Sequence, residues 1–144
     1  MSRKKIPQAI ESKIRLRARN RCGYCLSPQH LLMWELEIEH IIPRAKGGTN
    51  EEWNLWIACR ACNHYKGIQV RAYDPRTRRS VSLFNPRRQK WSRHFKWSPD
   101  GAQIIGLTAT GRATVIALKL NNHFAVTARQ EWVSVGWHPP KDHS

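Results

Sequence analysis

The sequence predicts an α+β chain. Two Cys-x-x-Cys pairs frame a 33-residue insert, Cys22/Cys25 and Cys59/Cys62. Inside the insert, residues 35–41 alternate apolar and polar as a strand does, while helical spacing recurs toward both ends of the chain. With 144 residues and 40% hydrophobic content, the chain can bury roughly two-thirds of its unfolded surface. A folded core is expected, in one domain or two very small ones.

Taken in order, the elements follow from local chemistry. Residues 7–20 read as a helix, with Pro7 suited to a first turn and Ile6, Ile10, Ile14 and Leu16 as an apolar stripe. The strand over 35–41 ends at Pro43, Gly47-Gly48 marks a turn, and Thr49 with Glu52 predicts a capping box on one short helical turn. Leu55 to Ala58 reads as a second strand, and Asn63 to Gly67 as a short helix stopped by its glycine. Beyond residue 70, Val81 to Phe84 is a short strand, and Ser98-Pro99-Asp100-Gly101 predicts a hairpin within 95–107. Residues 112–121 and 124–135 read as two helices separated at Asn121-Asn122. Phe124, Ala128 and Trp132 form the expected apolar face of the second, and Gly136 its stop. The expected division is 1–70, a core with a basic N-terminal helix, and 71–144, a basic extension packed on it, with a β-hairpin and two helices.

Each cysteine pair spaces two thiolates so that they can turn onto one tetrahedral ion, and two pairs complete the four-sulfur arrangement of structural zinc. Disulfides or unrelated thiols are the plainer alternatives, and iron fits the same donors. Zinc is preferred, as a clamp on the two ends of an insert with little core of its own.

Lys and Arg total 25 against 10 Asp and Glu, a net charge of +15. The excess is uneven: residues 1–21 carry +7, residues 22–62 carry −2, and residues 71–96 carry +8. Two basic flanks about a mildly acidic segment suit a centre held against a polyanion, most simply nucleic acid. Arg44 and Lys46 in the insert, and Arg87, Arg88, Lys90 and Arg93 in the second run, are the expected backbone contacts. Trp91 and Trp97 could stack on bases, although core packing accounts for most of the seven tryptophans. No run approaches the ~18 to 20 apolar residues of a membrane span, so no membrane partner is expected. The start, Met1 to Lys5, is not followed by the apolar run of a secretory signal, and a cytoplasmic, reducing setting is expected.

The insert has a further pattern: Cys22-x-x-Cys25, Glu37-Ile-Glu39-His40-Ile-Ile-Pro43, Gly47-Gly48, Asn54-Leu55, Cys59-x-x-Cys62-Asn63 and Lys66-Gly67. Over about residues 20–68 this resembles the HNH endonucleases. The whole chain, including Leu83-Phe-Asn-Pro-Arg-Arg and Thr110-Gly-Arg-Ala-Thr114, more loosely resembles a stand-alone bacterial version. The resemblance implies a ββα-metal finger, two strands and a helix around one divalent ion, that hydrolyses DNA phosphodiester bonds by nicking or double-strand cleavage. It implies His40 as general base and Glu39 and Asn63 as ligands of a catalytic Mg2+ or Mn2+, with His64 an alternative to Asn63. Asn54 would brace the loop and orient His40. The family usually has Asp or His where this chain has Glu39, and often His where it has Asn63. A base of reference pKa near ~6.5 and a hard cation are what phosphodiester hydrolysis at neutral pH requires.

Lys66, three residues after Asn63 on the same helical face, reads as a phosphate contact. Glu39 and His40 point to opposite faces of an ideal strand, so serving one site requires the strand to end or twist there. Glu35 reads as solvent-facing and Glu37 as a hydrogen-bonding neighbour of the site. His30, His94, His123, His138 and His143 read as surface or packing residues. Duplex DNA is the expected partner, with RNA left open, and a homodimer would serve two-strand cleavage. The rival is a zinc-containing module that binds nucleic acid without cutting it.

Overall fold

A computed structural model describes residues 5–142. Residues 1–4 of the basic arm, and His143, lie outside the described residues. The chain divides into two compact units, Met1–Val70 and Arg71–Ser144.

In the first unit, helix α1 spans Gln8–Arg17, starting directly after Pro7. It buries Ile14 and packs on the strand Leu55–Ala58, but Leu16 of the predicted stripe is 82% exposed. Position 16 lies two residues, about 200° of helix, from Ile14, so the two cannot share a face. Strands β1 (Glu37–His40) and β2 (Leu55–Ala58) pair antiparallel, with His40 opposite Leu55 and Glu37 opposite Ala58. Helix α2, Arg60–Lys66, follows β2 after a single residue. Cys59 caps it, its sulfur accepting from the Cys62 backbone N–H at 3.4 Å. Leu55, Ile57 and Ala58 are fully buried at the centre of the unit.

The predicted capping box does not form. Thr49 Oγ1 accepts from Glu51 N at 3.4 Å, and the helical turn is a 3-10 turn at Glu52–Asn54. Gly47, at φ +86°, ends the preceding 3-10 turn. Gly48 lies against strand-end backbone: a Cβ there would sit 1.6 Å from the Ile42 carbonyl oxygen.

In the second unit, β3 (Arg71–Asp74) and β4 (Arg79–Ser82) form a hairpin, and a short helix α3 (Trp91–His94) leads into a second hairpin, β5 (Phe95–Trp97) and β6 (Ile104–Gly106). The turn predicted at 98–101 joins β5 to β6: Gly101 sits at φ +77° and donates to Ser98 O at 2.8 Å. Helices α4 (Ala109–Ala117) and α5 (His123–Ser134) complete the unit. Asn122 caps α5 by accepting from Ala125 N at 3.0 Å, and Gly136 follows it at φ +79°. Helix α4 packs on both hairpins, with Gly111 against the His94 carbonyl.

The apolar face expected on α5 is replaced by a buried arginine. Phe124 is 81% exposed, while Arg129 is buried and donates to the Ala102 and Leu120 carbonyls at 3.1 and 2.7 Å. Asp74, also buried, accepts both Arg112 nitrogens at 3.0 Å and closes its own turn through Thr77. Those donors hold its carboxyl well below the ordinary carboxylate range, with the Arg112 hydrogen bond the largest cause. Trp91 is buried against Phe95 and Trp97, a packing role, and Trp97 carries the Arg129 guanidinium over its ring.

Candidate functional site

The four cysteines converge, as their spacing predicts. Cys22 and Cys25 lie on the loop after α1, and Cys59 and Cys62 bridge the end of β2 to α2. Their sulfurs all lie within 4.8 Å of one another, with Cys25 and Cys59 at 3.7 Å. Backbone N–H groups of Tyr24 and Cys62 point at the Cys22 and Cys59 sulfurs, each at 3.4 Å. Burial pushes the Cys22 thiol up, while hydrogen bonds from the other thiols pull Cys25 down. Four soft donors at this spacing, with amide dipoles aimed at the sulfurs, fit a tetrahedral zinc ion. Among the described residues, this is the one cluster of His, Cys, Asp or Glu with that reach.

The strand β1 and the helix α2 face each other through two pairs. Residues 37 and 39 share a strand face, and residues 63 and 66 share a helix face. Asn63 Nδ2 donates to Glu37 Oε1 at 2.9 Å, and Lys66 Nζ meets Glu39 Oε1 at 2.6 Å. Tyr24 donates its hydroxyl to the other Glu39 oxygen at 2.9 Å, and Lys66 also donates to the His40 and Ile41 carbonyls at 3.0 Å each. Glu39 and Lys66 are 1% and 2% exposed.

Two expectations change accordingly. Lys66, expected to meet a phosphate, does not face solvent: its ammonium is buried and donates to Glu39 and the end of β1. Glu39 and Asn63 are not brought together as a ligand pair. Both Glu39 oxygens are engaged from opposite sides, and the acid that meets Asn63 is Glu37, which is exposed. Burial pushes the Glu39 carboxyl up, partly offset by Lys66 and Tyr24. His64, the alternative ligand, is exposed beside the Tyr65 ring.

His40 is half-buried at the end of β1 and turns the other way, toward the loop. Strand alternation therefore persists to the last residue, and no local twist brings Glu39 and His40 onto one partner. Asn54 spans the loop: its Oδ1 accepts from Ile42 N at 2.8 Å, and its Nδ2 donates to the Ile42 and Thr49 carbonyls at 3.0 and 2.9 Å. The side chain that touches His40, however, is Asn50, whose Oδ1 lies 2.8 Å from His40 Nε2 and 2.7 Å from an Arg44 guanidinium nitrogen. No motif position in the sequence singles out Asn50, and its neighbour Thr49 reads as a helix cap. The available signal was its place in a loop returning to the strand end that carries the histidine.

Of the expected nucleic-acid contacts, Arg44, Lys46, Arg88, Lys90 and Arg93 are exposed and Arg87 is half-buried. On the β3–β4 hairpin, Arg71, Arg76, Arg78 and Arg79 are exposed as well, and Tyr73 shares the outer face with Arg71.

Two antiparallel strands, a loop folded back on the first, and a short helix clamped at its start by four thiols define a ββα-metal finger. Residues 22–69, a third of the chain, match the model of the HNH endonuclease family. That family is one of nucleases, and its substrate is nucleic acid. No curated protein and no solved structure matches the chain. No helix of the described residues is long and apolar enough to cross a membrane.

Proposed function

We propose that the protein is a metal-dependent endonuclease that hydrolyses DNA phosphodiester bonds, with His40 as general base. The observation that carries this reading is the imidazole of His40 at the strand end of the segment that matches the HNH family model, partly open to solvent and held through Nε2 by Asn50. In this reading the other nitrogen takes the proton from the attacking water. A divalent ion, Mg2+ or Mn2+, would supply charge stabilisation at the phosphate and the departing oxygen. With Glu39 engaged by Lys66 and Tyr24, the hard oxygen donors open to it are Glu37 and the carboxamide of Asn63. Four cysteines hold zinc outside the chemistry, in a reducing, cytoplasmic setting. The exposed arginines of the second unit, with Arg17 of α1, hold the duplex backbone.

That grip has a salt signature. If six to ten phosphates are contacted, affinity for a duplex should fall ~10³-fold or more between 50 and 200 mM salt. Near-constant affinity, measured by fluorescence anisotropy, would refute the electrostatic grip.

One observation favours a different reading, a zinc module that binds nucleic acid without cutting it. The acid directly before His40 is buried and paired rather than offered to an ion. Cleavage of supercoiled plasmid separates the two. Ion-dependent nicking or linearisation by zinc-loaded protein, lost in His40→Ala while binding persists, supports the nuclease. Binding with no cleavage under Mg2+ or Mn2+ supports the module. Matched DNA and RNA substrates in the same assay decide the preference between them, and product form distinguishes a nicking monomer from a two-strand cutter acting as a dimer.

A further inference from the structure

We infer that Asn50 is the positioning residue for His40: it holds the ring in the tautomer with the proton on Nε2, leaving Nδ1 as the basic nitrogen, and Arg44 determines which end of the Asn50 amide does so. The inference rests on the nuclease reading for its catalytic consequence, but not for its geometry.

Two donors converge on one atom. Asn50 Oδ1 lies 2.7 Å from the Arg44 guanidinium nitrogen and 2.8 Å from His40 Nε2. The oxygen and nitrogen of a carboxamide are nearly isosteric, so the amide's orientation has to be argued from its partners. A guanidinium has five N–H donors and no acceptor. The amide end that meets Arg44 must therefore be the oxygen. That oxygen cannot donate, so the His40 nitrogen facing it must carry a hydrogen. In the neutral imidazole only one nitrogen does, and Nδ1 is then the lone-pair nitrogen.

The hold is local and otherwise braced. Asn50 follows directly on Thr49, whose carbonyl is tied by Asn54, and Gly48 before it is pressed against the Ile42 carbonyl. Arg44 lies one residue beyond Pro43 at the end of the strand segment that carries His40. The loop thus closes on itself through Asn54 backbone contacts, and Asn50 spends its oxygen on the ring and the arginine. Arg44 is exposed and was expected to meet the phosphate backbone; here it also orients an amide.

The test uses full-length, zinc-loaded protein labelled with 15N in its histidines, at alkaline pH where the 15N shifts themselves report that the His40 ring is neutral. Long-range 1H–15N correlation spectra report each ring's tautomer directly. His40 should show the Nε2–H form in the parent protein and a mixed population in Asn50→Ala. In Asn50→Asp, which keeps an oxygen acceptor, the Nε2–H form should return. Arg44→Gln should weaken the preference without abolishing it. On plasmid, Asn50→Ala should lower kcat roughly 10- to 100-fold with KM and duplex affinity unchanged, and Asn50→Asp should recover most of the rate. An Nδ1–H ring in the parent protein, or an Nε2–H ring undisturbed in folded Asn50→Ala, would overturn the assignment. A parent protein that never cuts but whose tautomer shifts in Asn50→Ala would sink the nuclease reading and leave the hold on His40 standing.

Discussion

Lys66 and Glu39 form an ion pair inside the first unit, with Tyr24 and two carbonyls completing the set. A buried pair adds little stability against an apolar alternative, but removing one partner strands the other. Lys66→Met should therefore lower unfolding stability by about 3–5 kcal/mol, read from urea denaturation. A surface phosphate contact would behave oppositely, weakening duplex binding with stability unchanged. The two acids of β1 separate in the same way. Glu37→Gln should leave the melting temperature in place and reduce Mg2+-dependent cleavage, because that carboxylate is exposed beside Asn63. Glu39→Gln should lower the melting temperature. Were Glu37→Gln fully active, the idea that Glu37 and Asn63 offer the ion its oxygens would fail. The sequence marked out both acids. It could not say which one meets Asn63, because that depends on how the helix register falls against the strand. Asn63 and Lys66 lie three residues apart on α2 and Glu37 and Glu39 two apart on β1, and the direction in which the helix runs along the strand decides which acid meets which.

At the scale of elements, the loop between the strands is the device that holds the site, and Gly48 is its tightest point. A Cβ there would overlap the Ile42 carbonyl oxygen and lie 3.0 Å from Asn54 Nδ2. Backbone cannot yield as a flexible side chain can, so Gly48→Ala should destabilise the first unit by about 3 kcal/mol and reduce cleavage by displacing the loop from His40. Gly47→Ala is strained by its positive φ alone, with no atom within 4 Å of the added carbon, and should cost about 1 kcal/mol. Thermal melts of the two variants side by side test the ranking; equal losses would mean that the close approach of Gly48 contributes nothing. Much of this layer was readable beforehand. The strand at Leu55 to Ala58, the hairpin turn at Ser98 to Gly101 and the Asn122 break all appear where local turn and cap chemistry placed them. What was not readable depended on tertiary partners. Strand β3, with Arg71 and Asp74, carries no apolar alternation, and it is held by α4 through Arg112. Likewise the apolar spacing on α5 suggested Phe124, yet the position that is buried is Arg129, accepted because backbone carbonyls and the Trp97 ring receive it.

For the molecule as a whole, the two units draw stability from different sources, and that makes them separable. The first has four thiols placed to clamp a metal ion; the second has no such cluster among its described residues and relies on Trp91, Phe95, Ile104 and Leu118, with one network around buried Arg129 and another around buried Asp74 and its partner Arg112. Chelation at neutral pH should therefore unfold residues up to 70 and leave residues from 71 protected, as read by segment-resolved hydrogen exchange. Uniform loss across the chain would contradict two independent sources of stability. Acid attacks the second unit through Asp74. Its carboxyl titrates well below the ordinary range when folded, chiefly because Arg112 donates to it, and near ~3.9 when unfolded. The unfolded chain then binds the proton more readily, so stability is present in full above the unfolded value and is lost as pH falls toward the folded one. Unfolding of residues 71–142 should therefore become easier from about pH 5 downward, in the window set by those two values. Asp74→Asn should be less stable than the parent at pH 7 and should show a much flatter profile across that window. An unchanged acid limb in Asp74→Asn would mean that some other carboxylate controls it.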